Sequence, residues 1–162
     1  MKTKVDPTID LSLGSYDTDD EHVLESTRAF LTSTFNRLMV IELTEFLGYE
    51  KSARSGKPNA RNGFYSRPLE TPAGLIKLKI PRDRKGQFSP SMFPKYSREC
   101  EMAGYLAYDL CEVGFGRMDM DNLAQKHFGI SYSEKAQRRM IEIVSEEIAR
   151  LQDHLKNPDQ PA

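Results

Sequence analysis

From Asp19 to Glu50 the apolar side chains recur at helical intervals: Leu24, Leu31, Phe35 and Leu38, with Phe30 and Ile41 beside them. Positions three, four and seven apart share one face of a 3.6-residue helix, so the spacing predicts one long helix or two in succession. Asp19 and Asp20 supply capping acids at its start and Gly48 a stop at its end. The stripe reads as core or dimer interface rather than as a ligand box. Farther on the period changes to two. FYSRPLET and GLIKLKIP flank Pro72-Ala73-Gly74, and the second alternates Ile76, Leu78 and Ile80 with Leu75, Lys77 and Lys79. That pattern predicts a two-stranded ribbon with its aliphatic face on the helices and its lysines projecting away. Pro81 is expected to end the strand, and Arg82 to Gly86 to form a cationic turn in which the glycine takes a positive φ.

The segment FSPSMFPKY reads as an extended connection anchored by Phe88, Met92 and Phe93. Helical spacing returns with Met102, Leu106, Leu110 and Val113 after an expected N-cap at Ser97, and breaks at Gly114-Phe115-Gly116. A short helix from Asp119 to Phe128 is closed by Gly129. Ser133 then caps a last long helix with Ala136, Met140, Val144, Ile148, Leu151 and Leu155 on one face. The fold class is therefore α+β and mostly helical, with a small antiparallel β ribbon in the middle. The expected divisions are a leader over 1–18, a helical segment over 19–50, a basic loop and ribbon over 51–98, a C-terminal helical group over 99–156 and a tail over 157–162.

Charge changes this picture. The net charge is −1 over 162 residues, yet residues 51–98 carry twelve cations and only two acids, Glu70 and Asp83. The flanking blocks balance to −6 before and −5 after. A short basic run is usually a solvated loop, but ten uncompensated charges within 48 residues repel one another and are relieved by a polyanion. Lys77, Lys79, Arg82, Arg84 and Lys85 on the ribbon and its turn, with Arg61 and Arg67 on the approach to it, are the candidate phosphate contacts.

Other chemistries find less support. Cys100 and Cys111 share one predicted helix, about 16 Å apart along its axis, too far for a disulfide and suited to being small buried side chains. His22, His127 and His154 are scattered, with no pairing for a metal, so neither a metal site nor a cofactor is expected. No apolar run approaches the roughly 20 residues of a membrane span, and the first residues lack the apolar stretch of a secretory signal. The expectation is a cytoplasmic, nucleoid-associated protein without a membrane partner.

The short helix, the turn around Gly129 and the helix opening Ser-Glu-Lys-Ala-Gln-Arg-Arg have the dimensions of a helix-turn-helix. In that device Lys135, Gln137, Arg138 and Arg139 would reach base edges or phosphates. Helix, glycine, helix is also common in all-helical cores, and Asp119 and Asp121 would sit badly near phosphate.

Three elements in order give the middle of the chain a more specific likeness: Asn62-Gly63-Phe64-Tyr65-Ser66-Arg67, then Thr71 to Gly74, then Ile80-Pro81-Arg82-Asp83-Arg84-Lys85-Gly86-Gln87-Phe88. With Leu47-Gly48-Tyr49-Glu50 before them, they resemble the N-terminal region of bacterial Mutator-type insertion-sequence transposases. Beyond Arg98 the likeness thins, and Gly114-Phe115-Gly116-Arg117-Met118 departs from that family's usual Gly-x-Ser-x-Arg. The resemblance implies DNA recognition, a helix-turn-helix-like region and participation in transposition. It also implies a following ribonuclease-H-like domain with an Asp-Asp-Glu triad, and this chain finishes at Ala162, about where that domain would begin. The expectation is a non-catalytic DNA-binding protein, with no catalytic residue nominated. Its partners would be duplex DNA and, by association, a second copy or a full-length transposase. A helical interaction module, its cations meeting an acidic protein surface, is the competing reading.

Overall fold

The computed structural model describes residues 20–53, 56–94 and 100–160. Helix α1 runs unbroken over Glu21–Leu47, so the first apolar stripe belongs to one helix rather than two. The Asp20 carboxylate accepts the His22 N–H at 2.8 Å. Gly48 closes the helix at φ 80°, a left-handed conformation that glycine adopts without a Cβ clash. The Lys57 ammonium reaches the carbonyl oxygens of Leu47 and Gly48, each at 3.3 Å, and satisfies acceptors that the helix end leaves open.

Strands β1 (Arg61–Thr71) and β2 (Gly74–Asp83) pair antiparallel, with Ser66 opposite Lys79 and Leu69 opposite Ile76. Leu69, Ile76, Leu78 and Ile80 are buried while Leu75, Lys77 and Lys79 are exposed, as the alternation predicts. The ribbon is longer at its open end than expected, on both strands. It begins at Arg61, inside a stretch whose Gly and Asn content suggests a loop, because Asn62 and Gly63 form a bulge: the register shifts between Arg61 and Phe64, and Gly63 has φ 68°. It also continues past Pro81 to Asp83. The Lys79 N–H points away from β1, to the Asn36 side chain at 2.8 Å, and two residues later the imino nitrogen of Pro81 faces the same outer edge. The proline therefore removes no rung of the ladder.

Three further helices follow among the described residues: α2 (Cys100–Gly114), α3 (Met120–Phe128) and α4 (Glu134–Lys156). Asp119 caps α3, Gly129 ends it, and the Ser133 hydroxyl accepts the Ala136 N–H at the start of α4. The predicted cap at Ser97, the leader over 1–18 and the capping acid Asp19 lie outside the described residues. α1 lies between β2 and α4, and α2 packs on both β1 and α4. One apolar core joins Phe35, Leu38, Leu78, Leu110, Met140 and Ile148. Among the described residues no helix is long and apolar enough to cross a membrane.

Buried acids tie these helices together. Glu147 of α4, 2% exposed, accepts hydrogen bonds from Ser33 and Arg37 of α1 and from Arg150. Asp109 of α2 receives Lys126 at 2.8 Å and faces the His127 ring at 2.7 Å, both on α3. In each case neighbouring side chains satisfy a carboxylate that would be costly to bury alone. Cys111 is half-buried, and burial pushes its thiol up to about 12, which makes it a packing residue rather than a nucleophile.

Candidate nucleic-acid interface

The sequence Ile80-Pro81-Arg82-Asp83-Arg84-Lys85-Gly86 places one acid among three cations, and the acid is the part that faces inward. Asp83 is 3% exposed. Its carboxylate accepts the Asn59 amide at 2.8 Å, the Phe88 N–H at 3.0 Å and the Gln87 N–H at 3.1 Å. Burial alone would raise its pKa, but these hydrogen bonds outweigh burial and hold it at about 2. Asp83 thus fixes the turn over residues 84–86, with Gly86 at φ 65°. Arg82, Arg84 and Lys85 are left pointing into solvent.

The predicted phosphate contacts divide into two groups. Lys77, Lys79, Arg82, Arg84 and Lys85 are exposed, and none has a side-chain hydrogen bond or ion pair among the described residues. Exposure shifts by one place along β2, since Ile80 and Pro81 are both buried. Lys77 and Lys79 therefore project from one side of the pleat and Arg82 from the other, with Arg84 and Lys85 on the turn beyond, and the positive charge wraps the ribbon rather than lying on a single plane. Arg61 and Arg67 are engaged internally. The Arg61 guanidinium donates to the Thr44 hydroxyl at 3.0 Å and the Tyr49 carbonyl at 2.8 Å, and lies 5.1 Å from the centre of the Tyr49 ring. Arg67 donates to the carbonyls of Phe93 and Pro94 at 3.2 and 2.9 Å. The first locks β1 to the end of α1, and the second holds the chain that leaves the ribbon.

The helix-turn-helix candidates sit at the start of α4, against the end of α1. Lys135 lies 3.1 Å and Arg139 3.7 Å from the Glu50 carboxylate, whose pKa is lowered chiefly by the Lys135 hydrogen bond. Gln137 donates its side-chain amide to the Tyr132 carbonyl at 2.9 Å, and Arg138 Nε is 3.4 Å from the Glu134 carbonyl. Glu45 accepts the Ser133 N–H at 2.8 Å. A cleft of about 480 Å³ separates the two helix ends, lined by Tyr49, Glu50, Lys135 and Arg139 among others. Its charge is mixed, whereas the exposed charges on the ribbon are basic apart from Glu70.

Two features escaped the sequence pattern. Phe64 is 51% exposed on the outer face of β1; its place next to the Asn-Gly bulge was the available signal. The pairing of Glu50 with Lys135 had no local signal, because 85 positions separate the two. Among the described residues no group of three His, Cys, Asp or Glu side chains is placed to hold a metal ion.

An α+β chain with a basic ribbon set on a helical core is the architecture in hand, and comparison with known proteins supplies its family. The family described as "Transposase, Mutator family" matches residues 6–157, and the chain belongs to it. It is 34% identical over 127 residues to the transposase of insertion sequence element IS905 from Lactococcus lactis, covering 77% of this chain and 32% of that protein. It is 32% identical over 117 residues to the transposase of IS1201 from Lactobacillus helveticus, covering 71% and 32%. A 73-residue stretch is 38% identical to the transposase of IS256 in transposon Tn4001 from Staphylococcus aureus, covering 44% and 19%. The chain thus spans about a third of the length of the first two of these curated relatives.

Proposed function

We propose that this chain is a DNA-recognition module of a Mutator-family transposase, binding duplex DNA without itself carrying out strand transfer. The observation that supports this reading best is the set of five exposed cations on the ribbon and its turn that have no side-chain partner among the described residues: Lys77, Lys79, Arg82, Arg84 and Lys85. Phosphates discharge such a group and release counterions as they do so. Arg61 and Arg67 then act indirectly, by holding the ribbon in place, and the first turn of α4 is a second contact region. The natural targets are the terminal inverted repeats of an insertion element, where occupancy would regulate transposition or transcription from the cytoplasm.

The test is duplex binding across a salt series. Five phosphate contacts correspond to a slope of about −4.5 in log K against log salt, at roughly 0.9 per phosphate. Neutralising Lys79 and Arg82 together should reduce that slope by about two. Absence of binding, or a flat salt response, defeats the proposal.

A second reading has its own observation. Tyr105 and Tyr108, three positions apart on α2, are 69% and 60% exposed. A helix face of this kind favours association with a second copy or with a full-length transposase. If that association is the chain's purpose, a partner is retained after nuclease treatment and released by Tyr105→Ser with Tyr108→Ser.

A further inference from the structure

The outer face of the ribbon is not simply a cationic surface. It carries Phe64, 51% exposed, and Leu75, 58% exposed, with Lys79 and Lys77 between them. Phe64 pairs with Pro81 at the bulged end, and Leu75 pairs with Glu70 at the turn end. The two rungs are six positions apart on β1, a span of about 20 Å at roughly 3.3 Å per residue. On β1 the face between them is low: Ser66 lies opposite Lys79 and Pro68 opposite Lys77. Two large apolar groups at the ends of a basic, shallow strip do not serve solubility.

We infer that this face lies in the major groove of duplex DNA, with Phe64 in apolar contact with a thymine methyl group; the inference rests on the DNA-recognition reading above. A two-stranded ribbon fits a groove roughly 12 Å wide. Phosphates line the walls of that groove, and Lys77 and Lys79 carry positive charge on the same face as Phe64. The Asn62-Gly63 bulge immediately before Phe64 bends the strand and sets the direction of the next side chain. Gly63 takes φ 68°, a conformation that a residue with a Cβ adopts only with strain, so the bulge depends on it. The acid on this face, Glu70, is at the far end, across from Leu75.

The start of α4 competes poorly for the groove. Its Lys135 and Arg139 are drawn to Glu50, and Glu45 sits at its cap. A phosphate approaching there meets two carboxylates as well as the cations.

The experiment uses the full chain and short duplexes enriched from a random-sequence pool, each tested with thymine and with deoxyuridine, which lacks the C5 methyl group. The wild type should bind the thymine duplex several-fold more tightly. Phe64→Ala should bind both forms equally, with the wild-type salt slope and an unchanged melting temperature, and Phe64→Leu should restore part of the discrimination. Lys135→Ala with Arg139→Ala should discriminate as the wild type does. The inference is overturned if the wild type ignores the methyl group, if Phe64→Ala still discriminates, or if discrimination is lost with the α4 pair instead. Enrichment of no duplex at all brings down the DNA-recognition reading itself, a different result from binding without discrimination.

Discussion

Glu50 Oε1 lies 3.1 Å from Lys135 Nζ, joining the chain just past α1 to the first turn of α4. The same carboxylate is shared with Arg139 at 3.7 Å. Both cations are exposed, so the pairs are screened and add little to folding. Their effect is on the local potential, because the carboxylate neutralises charge that α4 would otherwise present to a phosphate. Glu50→Gln should therefore strengthen duplex binding by about two- to fivefold at low salt, with the gain fading as salt rises, and leave the melting temperature nearly unchanged. Gel shift at two salt concentrations checks this. Unaltered affinity at low salt would mean that the start of α4 is remote from the DNA.

Asp83 makes the basic turn acid-sensitive. Its ordinary pKa of 3.8 falls to about 2 in the folded chain. The resulting stability is present above about 3.8 and is lost as pH falls toward 2, amounting to about 2 kcal/mol. Asp83→Asn should remove this slope and cost on the order of 1–3 kcal/mol at neutral pH, because Gln87 and Phe88 would share a weaker acceptor. Urea titrations of both proteins between pH 2 and 7 measure the difference.

Much of this architecture is legible along the chain because it is local. Caps at Asp20, Asp119 and Ser133, stops at Gly48 and Gly129, and the alternation from Leu75 to Ile80 each act over a few residues. The open end of the ribbon was harder to read. Whether Pro81 breaks a strand depends on which edge its nitrogen faces, and that is decided by the pairing with β1 and by Asn36 on α1. The candidate site follows the same rule. Lys77 and Lys79 were assigned to an exposed face by a period of two, whereas the inward use of Arg61 and Arg67 depends on Tyr49, Phe93 and Pro94, brought close only by folding.

Glu42 opposes Asp83 in its pH dependence. This α1 carboxylate, 5% exposed, accepts the Tyr132 phenol at 2.7 Å and the Ser91 N–H at 3.1 Å, while its second oxygen has no partner among the described residues. Burial raises its pKa above the ordinary 4.5, and the hydrogen bonds only partly offset this. Stability from the neutral form is thus complete below about 4.5 and is lost as pH rises through the folded value. Glu42→Gln keeps an acceptor for Tyr132 and removes the charge. Relative to wild type, it should gain stability as pH rises from 4 to 8, by about 1 kcal/mol or more at the upper end. A constant difference across that range would show that Glu42 stays ionised in the folded chain.

Gly114, at the end of α2, packs directly against α4. A Cβ there would lie 2.4 Å from Ile148 Cδ1 and 3.0 Å from Val144 Cγ1, both on side chains with no exposure. Alanine would favour the helix by about 1 kcal/mol, but overpacking a closed core costs roughly 1–3 kcal/mol. Ile148 cannot swing into solvent, and Val144 is stiff at χ1. The clash should therefore win, and Gly114→Ala should lower stability by about 1–2 kcal/mol. Ile148→Val removes the methyl group that is struck first and alone should cost about 1 kcal/mol. Combined, the two changes should destabilise by less than the sum of their separate effects, because the alanine methyl occupies space that the lost Cδ1 vacates. Strict additivity in urea denaturation would mean that α2 and α4 separate to admit the methyl, and that their contact is softer than the packing around Gly114 implies.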